Sequence, residues 1–442
     1  MQNAVLQGAI AKVLAAGTAS NFSLSVEFVS GTDSSYLYTP FRVDGIKYTQ
    51  DSIKGYTDNI VLQVWMAAAD YANMYDRMQD LHAIIVLAYH DAGGTRILKT
   101  PPLTQQFRAA IIDPKDIRKE MVDAHLRTEV DRVVKIRLVP EAIYTARSVP
   151  INVIYRQATV EDAIHHATAS MGISSITMDP PDNIHVWDHI NVPPMKKFSN
   201  FYSWIQREYG VYLCGMVQYY TNDHLYVYAP FNLLPTTSTT LTIYQAEKGS
   251  TGGTTCATVL DTNTVTVVTD TVHTVTDKTL YGAENVGTSV SFMRASEIQD
   301  GVVKYDPVNG AKFRDDVLLT IGLTTPKSLT SGQDRPRYGP TTDNVFALSS
   351  AMMEHQATVM VVEWTPSVPC VLRPGLAVTY YSDQNGAILK RQGILEVIDT
   401  MLLRIDRSSG GEAQSQEIYK SSTKLTVRLQ PEGVLTSSIS TT

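Results

Sequence analysis

The stretch of sequence that decides the fold lies between residues 159 and 231. Its three parts read TVEDAIHHATASMG (159–172), PPMKKFSNFYSWIQREYG (193–210) and VYLCGMVQYYTNDHLYVYAPF (211–231). The first two parts carry apolar residues at helical spacing and end in glycine, while the third alternates on either side of a polar turn. The pattern predicts two helices followed by a β-hairpin.

Both helices have recognisable starts. The Thr159 hydroxyl can cap the first turn of one helix, and Asp162, three residues on, completes a capping box. The second helix is predicted to follow Pro193-Pro194, because proline is tolerated in a first helical turn. The two helices should pack on the hairpin through five apolar or aromatic side chains: Val160, Ile164, Phe198, Ile205 and Tyr209.

The sequence on either side of this unit is rich in β-strand patterns. Residues 22–28 alternate strictly, residues 41–48 suggest a hairpin turning at Asp44-Gly45, and residues 66–81 are predicted to form a helix. Residues 394–398 and 401–405 are predicted to be two strands that pair with each other. Strands and helices do not alternate regularly, so the predicted class is α+β, mainly β, and not a doubly wound sheet.

The first twenty residues are predicted to be an amphipathic arm that docks on a neighbouring molecule. Their apolar residues recur at helical spacing. A cleaved signal peptide is the alternative, but Lys12 interrupts the apolar run and no basic residue precedes it. No apolar run elsewhere is long enough to cross a bilayer, so no membrane-spanning segment is predicted.

Composition disfavours several functional classes. The chain of 442 residues has 37 basic and 44 acidic residues, a formal charge of −7. This net negative charge disfavours tight binding to the phosphates of nucleic acid. Cys214, Cys256 and Cys370 are odd in number and far apart, which indicates buried free thiols and neither a disulfide framework nor a zinc ribbon.

Histidine pairs give the sequence its only hints of chemistry. His185 and His189 imitate a zinc motif, but the prolines on both sides favour an extended strand, on which the two imidazoles lie about 13 Å apart. His165 and His166 are explained by a helix surface, on which Glu161 can pair with His165. We therefore predict no catalytic, cofactor-binding or metal-binding residue and no enzymatic activity.

The order of the parts resembles a known family. The residues that carry the resemblance are 158–164 (ATVEDAI), 182–185 (DNIH), 192–195 (VPPM), 209–212 (YGVY) and 372–378 (LRPGLAV). Their order is similar to that of the central baseplate hub protein of contractile-tailed bacteriophages. The threonine-rich stretch 236–276 departs from the family's pattern.

This resemblance implies two tail-tube-like antiparallel β-barrels with an inserted helix-helix-hairpin domain. It implies an N-terminal arm (1–20), a first barrel (21–149), an α+β insertion (150–235), a threonine-rich β segment with a long loop belonging to the second barrel and a further insertion (236–345), and a second barrel with a tail (346–442).

The resemblance also implies a function and partners. The expected protein is a structural component of the virion, assembled in the host cytoplasm: a homotrimer that joins the sixfold tail tube to the threefold spike, contacts other baseplate proteins, and lets DNA pass without specific binding. No cofactor is expected. The residues expected at contacts between subunits are Phe22, Leu24, Val26, Phe28, Ile394, Val397, Leu403 and Ile405. The alternatives are a host-receptor-binding or other tail-tip protein and, less favoured, a cell-wall hydrolase.

Overall fold

The protein is described from a computed structural model. The described residues are 4–16, 21–30, 36–90, 103–112, 131–195, 198–212, 215–229, 240–247, 256–260, 264–274, 287–294, 304–305, 317–324, 358–368, 370–384, 386–405 and 418–429.

Within these ranges the chain is mainly β-structure. The helices are α1 (Ala4–Ala16), α2 (Ala68–Asp76), α3 (Glu141–Ala146), α4 (Val160–Ser170) and α5 (Phe198–Glu208), with a 3-10 turn at Met78–Asp80. The strands are β1 (Asn21–Ser30), β2 (Tyr36–Tyr38), β3 (Arg42–Asp51), β4 (Asn59–Ala67), β5 (Leu81–His90), β6 (Leu103–Ile111), β7 (Asp131–Pro140), β8 (Ile151–Ala158), β9 (Ile176–Met178), β10 (Trp187–Met195), β11 (Val217–Thr221), β12 (His224–Tyr228), β13 (Thr240–Gln245), β14 (Cys256–Leu260), β15 (Thr264–Thr269), β16 (Val272–Thr274), β17 (Gly287–Arg294), β18 (Lys304–Tyr305), β19 (Val317–Thr324), β20 (Thr358–Trp364), β21 (Ala377–Gln384), β22 (Ala387–Ile405) and β23 (Ile418–Leu429).

One large sheet unites the first and last parts of the chain. Its strands follow the order β14-β15-β13-β21-β22-β3-β4-β7-β6-β5-β1-β23-β20-β16, and β22 also pairs with β23. The alternating inward side chains of these strands form one hydrophobic core, which includes Phe28, Leu62, Trp364 and Leu425. The two expected barrels are therefore not distinguished as separate sheets.

The long strand β22 links the two β blocks. Its first part pairs with β21, from Ala387 to Ile394, and its last part pairs with β3, from Val397 to Leu403. The change of partner coincides with a bulge between Leu395 and Val397 in its pairing with β23. At Gly393, β22 and β23 lie so close together that an added Cβ would be 2.1 Å from a backbone oxygen of β23.

The helix-helix-hairpin unit forms a second hydrophobic core. The predicted capping box of Thr159 and Asp162 starts α4, and Gly172 follows it with a positive φ of 83°. Val160, Ile164, Phe198 and Ile205 are buried together, with Tyr209 packed against them. The hairpin of β11 and β12 turns at Asn222 and Asp223, both at positive φ, and β12 adds β9 in parallel. This part of the prediction is confirmed.

Two predicted hairpins are instead continuous strands. Residues 42–51 form β3, and Asp44-Gly45 is a bulge, not a turn. The Asp44 carboxylate accepts a hydrogen bond from the Trp65 indole of the neighbouring strand, which satisfies it within the sheet. Residues 394–398 and 401–405 likewise belong to the single strand β22 and pair with β23. Their intervening Asp399-Thr400 stays in register, so the predicted pairing between them is wrong.

Two other boundaries differ from the prediction. Pro193-Pro194 lie in β10, paired with β8 across a register shift, and α5 begins later, at Phe198. The helix predicted over 66–81 is shortened to α2, because residues 59–67 are already a strand. The N-terminal helix α1 packs through Leu6 and Ile10 on Ala246 and Val268 of its own chain. Its docking on a neighbouring molecule stays a prediction.

The sequence predicts helices at 116–129 and 346–355 and a long loop at 323–343, and these segments lie outside the described residues apart from the end of β19. The threonine-rich stretch 236–276 is β-structure where it is described, as β13 to β16.

Candidate functional site

A buried carboxylate joins the first β block to the insertion. Asp58 precedes β4 and is 3% exposed. It accepts hydrogen bonds from Tyr48 at 2.7 Å and Gln50 at 3.0 Å on β3. It also accepts from Tyr219 at 3.0 Å and Thr221 at 2.8 Å on the insertion's hairpin. Four neutral donors thus replace the water that a carboxylate would otherwise bind.

The electrostatics of this cluster are dominated by burial. Desolvation raises the pKa of Asp58, and the four hydrogen bonds oppose that rise. Desolvation followed by the nearby Asp58 charge raises the pKa values of Tyr48 and Tyr219. Burial, together with Asp58, also raises the pKa of the Cys370 thiol to about 12, which keeps that sulfur an unreactive thiol.

Further contacts join the residues just before Asp58 to the insertion. Thr57 forms an isolated parallel bridge with Tyr220, whose amide donates to the Tyr56 carbonyl at 2.8 Å. The Tyr56 ring lies 5.2 Å from the Phe198 ring of α5, and its hydroxyl accepts from Arg147 at 3.1 Å. The segment before β4 is therefore fixed to both the helices and the hairpin of the insertion.

The last β block reaches the same hairpin from another side. The Arg373 guanidinium lies 3.8 Å from the centre of the Tyr226 ring, a cation–π contact. Gly375, at a φ of 87°, approaches Tyr228 so closely that a Cβ would lie 2.6 Å from its ring. Ile394 of β22 is buried with Tyr219 and Tyr228. We name this meeting of Asp58, Tyr219, Tyr226, Arg373 and Gly375 the three-way junction.

The bulge in β22 lies beside the three-way junction. The Glu396 carbonyl accepts from the Ser52 amide at 3.1 Å and from the Ser52 hydroxyl at 2.8 Å. Its buried carboxylate forms an ion pair with Arg428 of β23. The first β block is thus tied to the point at which β22 changes partner.

The arrangement nearest to a catalytic pair is His224 with Ser175. The Ser175 hydroxyl lies 2.5 Å from Nδ1, and the Thr177 hydroxyl lies 2.7 Å from Nε2. In a hydrolase triad the second imidazole nitrogen is oriented by a carboxylate. Here it contacts a hydroxyl, so the pair links β9 to β12. Desolvation, then the Arg373 charge, lowers the pKa of His224 and favours neutral imidazole.

The other histidines lie in structural settings. His189 lies in the strand β10, as predicted, while His185 precedes that strand and its ring makes an edge contact with Trp187. His166 lies on α4 with Nδ1 3.2 Å from the Tyr155 hydroxyl. Among the described residues no group of three or more His, Cys, Asp or Glu side chains could hold a metal ion. In the same ranges no helix is both long enough and apolar enough to cross a membrane.

The eight residues predicted at subunit contacts are distributed between core and surface. Leu24, Val26 and Phe28 are buried in the main core, and Ile394 is buried beside the junction. Val397 is half-buried, Leu403 is 53% exposed, and the side chains of Phe22 and Ile405 lie outside the described set. Strands β1 and β22 are paired on both edges within the chain, so any contact there would use outward side chains.

Sequence reasoning missed the Asp58 cluster. Asp58 carries no motif, and its donors come from positions 10 and 161 residues away along the chain. The one available signal was the unusual density of tyrosine in the hairpin, since a buried tyrosine hydroxyl needs a polar partner.

Residues 100–316 match the model of a family described as "Bacteriophage PBS1 gene 109 protein". The match is to a phage protein. It covers just under half of the chain and agrees with the phage resemblance drawn from the sequence. None of the curated proteins matches the chain in sequence.

Solved structures of tail proteins are similar to this chain at low sequence identity. A tail protein from Neisseria meningitidis MC58 has 10% identity and a TM-score of 0.46, covering 93% of this chain and 98% of its own. The 43 kDa tail protein of prophage MuSo2 from Shewanella oneidensis has 8% identity and a TM-score of 0.43, covering 91% and 98%. An E. coli component of the type VI secretion system, described as similar to T4 tail proteins gp27 and gp5, has 10% identity and a TM-score of 0.40, covering 88% and 73%.

Proposed function

We propose that this chain is a structural protein of a phage tail baseplate, a trimeric hub between the sixfold tail tube and the threefold spike. The observation that carries the proposal is the pair of β blocks joined through β22, which pairs with β3 at one end and with β21 at the other. The family match to a phage protein supports the same setting.

In this proposal the two β blocks are tube-like barrels that share β22 and β23. One circuit of pairings runs from β22 through β3, β4, β7, β6, β5 and β1 to β23 and back to β22. The second block uses the other parts of the same two strands, which pair with β21 and β20. Three chains then present six similar β units to a sixfold tube and one threefold face to a spike.

The insertion domain and the three-way junction hold the two blocks at a fixed angle in this assembly. A hub transmits force between tube and spike, so a buried, hydrogen-bonded junction suits it better than a flexible linker. DNA would pass along the threefold axis without being gripped, which agrees with the net acidic chain.

The oligomeric state tests the proposal. Light scattering of the full chain, alone and co-expressed with the tube and spike proteins of its phage, should give the mass of three 48.8 kDa chains, about 146 kDa. The assembled trimer should not bind duplex DNA in a salt-sensitive way. A monomer that persists with both partners would contradict the hub, and a hexamer would favour a tube or tube-initiator protein.

A further inference from the structure

The outward face of five neighbouring strands of the main sheet carries cations around an apolar centre. We call this surface, on β7, β4, β3, β22 and β23, the basic sheet face. Its exposed cations are Lys47, Lys135, Arg137, Lys420 and Lys424, and its exposed apolar side chains are Val133, Met401 and Leu403. Arg42 of β3 pairs with Asp44 on the same face, and Asp51 lies at the end of that strand. Asp399 is 3.9 Å from Lys47, and Glu363 of the adjacent β20 is 3.2 Å from Lys424. The face is therefore net positive on a chain whose total charge is −7.

The strand register places an apolar side chain between two lysines. Lys135 pairs with Gln63, Gln63 with Gly45, and Gly45 with Leu403. Leu403 in turn pairs with Lys420 of β23. Four strand spacings of about 4.8 Å separate the two lysines by about 19 Å along the sheet. Gly45 has no side chain, so the surface is recessed at the middle of this row. Leu403, beside it, is more than half exposed.

The insertion domain carries a segment of complementary chemistry. Residues 182–188, which follow Pro181 and include the first two residues of β10, expose Asp182, Ile184, Val186 and Asp188 at alternate positions, and we call them the acidic segment. Ile184 is 81% exposed, more than any other large hydrophobic side chain of the described residues. The Asn183 amide donates to the Tyr209 and Gly210 carbonyls at 2.8 Å, which fixes the segment to the domain. The distance between its two aspartates is at most about 20 Å.

We propose that the acidic segment of one copy docks on the basic sheet face of the next copy. Its aspartates would meet Lys135 and Lys420, and Ile184 and Val186 would cover Leu403. Rims of opposite charge around an apolar centre are the arrangement that gives a protein interface its specificity. Because the two surfaces differ, the contact is head to tail, and it closes into a cyclic ring of three copies when each copy is rotated by 120° from the one before.

This inference deepens the proposed hub function and rests on it. A ring closed in this way covers the lysines with the neighbouring chain, which keeps them from the phosphates of passing DNA. It also gives Leu403 the intersubunit role expected from the sequence, through its side chain and not through a strand edge.

A charge-swap series on the full chain tests the contact. The sheet variant K135E/K420E and the segment variant D182K/D188K should each lower the association constant at least tenfold, because like charges then face each other. The four-site variant restores opposite charges and should recover the wild-type mass. K12E/K54E changes two exposed lysines that belong to neither surface. It is the matched control and should leave the mass unchanged. Masses are measured by light scattering, alone and with the tube and spike proteins, after circular dichroism verifies folding.

The outcomes separate this inference from the hub itself. A trimer that survives in both double variants overturns the contact and leaves the trimeric hub intact. Two dissociated double variants without recovery in the four-site variant also overturn it, because the charges then do not meet each other. If K135E/K420E abolishes salt-sensitive duplex binding and leaves the mass unchanged, the face binds DNA and the inference is wrong. A wild-type chain that never associates contradicts the proposed function.

Discussion

The Tyr219 hydroxyl donates a hydrogen bond to the Asp58 carboxylate at 3.0 Å, across 161 positions of sequence. The two residues belong to different parts of the chain, and both are buried where those parts meet. A buried carboxylate that loses a donor retains its desolvation cost, so single changes in this cluster should be more harmful than the hydrogen bond's net worth suggests.

Replacing Tyr219 with phenylalanine should therefore destabilise the protein by about 1–3 kcal/mol. The ring remains, so the loss reports the missing donor and not a cavity. Tyr144→Phe, on the half-exposed ring of α3, is the matched control and should change the free energy of unfolding by less than about 0.5 kcal/mol. Equal denaturant midpoints for the two variants would show that Asp58 does not depend on Tyr219.

Asp58 should make stability depend on pH. Its pKa is raised in the folded protein, so the folded state binds a proton more readily than the unfolded chain. Its contribution is therefore most favourable in acid and declines as pH rises from the ordinary carboxyl pKa through the raised value.

Asp58→Asn removes this titration. The melting temperature of the variant relative to wild type should rise across a pH interval that begins at the ordinary carboxyl pKa of about 4, whatever constant cost the lost carboxylate adds. Asp76→Asn, at an exposed position on α2, should run parallel to wild type. A pH-independent difference for Asp58→Asn would mean that Asp58 does not titrate in this interval.

Gly375 is required by its neighbour as well as by its backbone. Gly375 and Gly386 have nearly the same positive φ, 87° and 85°, but only Gly375 would place a Cβ 2.6 Å from the Tyr228 ring. Gly386→Ala should cost about 1–2 kcal/mol for the left-handed backbone alone. Gly375→Ala should cost a further 1–3 kcal/mol or so for overpacking, measured by chemical denaturation. Equal losses would place Tyr228 farther from Gly375 than described.

Phe198 anchors the two helices of the insertion. It is 1% exposed, and its ring packs at a tilt against Tyr56 and Tyr202, at centroid distances of 5.2 and 5.1 Å. Phe198→Ala should lower the free energy of unfolding by about 3–5 kcal/mol, while Asn200→Ala on the exposed side of the same helix should have little effect. Unchanged thermal stability for Phe198→Ala would refute the packing of α5 described above.

Local patterns predicted the insertion well because its elements obey local rules. Thr159 and Asp162 form their capping box, and the polar pair Asn222-Asp223 supplies the two positive φ values of a tight hairpin turn. Helical spacing also selected the buried positions, since only one face of each helix can meet the hairpin.

The β blocks were predicted less accurately because strand pairing is decided at a distance. Asp44-Gly45 has the composition of a turn, but Trp65 of β4 holds Asp44 within a continuous strand. Asp399-Thr400 interrupts an apolar run, yet Thr400 is buried against Thr423 of β23 at 2.9 Å and the strand continues. The Asp58 cluster was equally hidden, because its members are brought together only by docking of the insertion.

The continuity of β22 has a mechanical consequence. Its nineteen residues span about 60 Å in one extended run. Along that length the strand pairs first with β21 of the last β block and then with β3 of the first. A pull on either half would load the same ribbon of peptide bonds, and shearing the halves apart would require breaking several rows of hydrogen bonds at once. We expect the two halves to resist shear as one rigid unit, because the Ser52 hydroxyl donates to the Glu396 carbonyl where β22 changes partner.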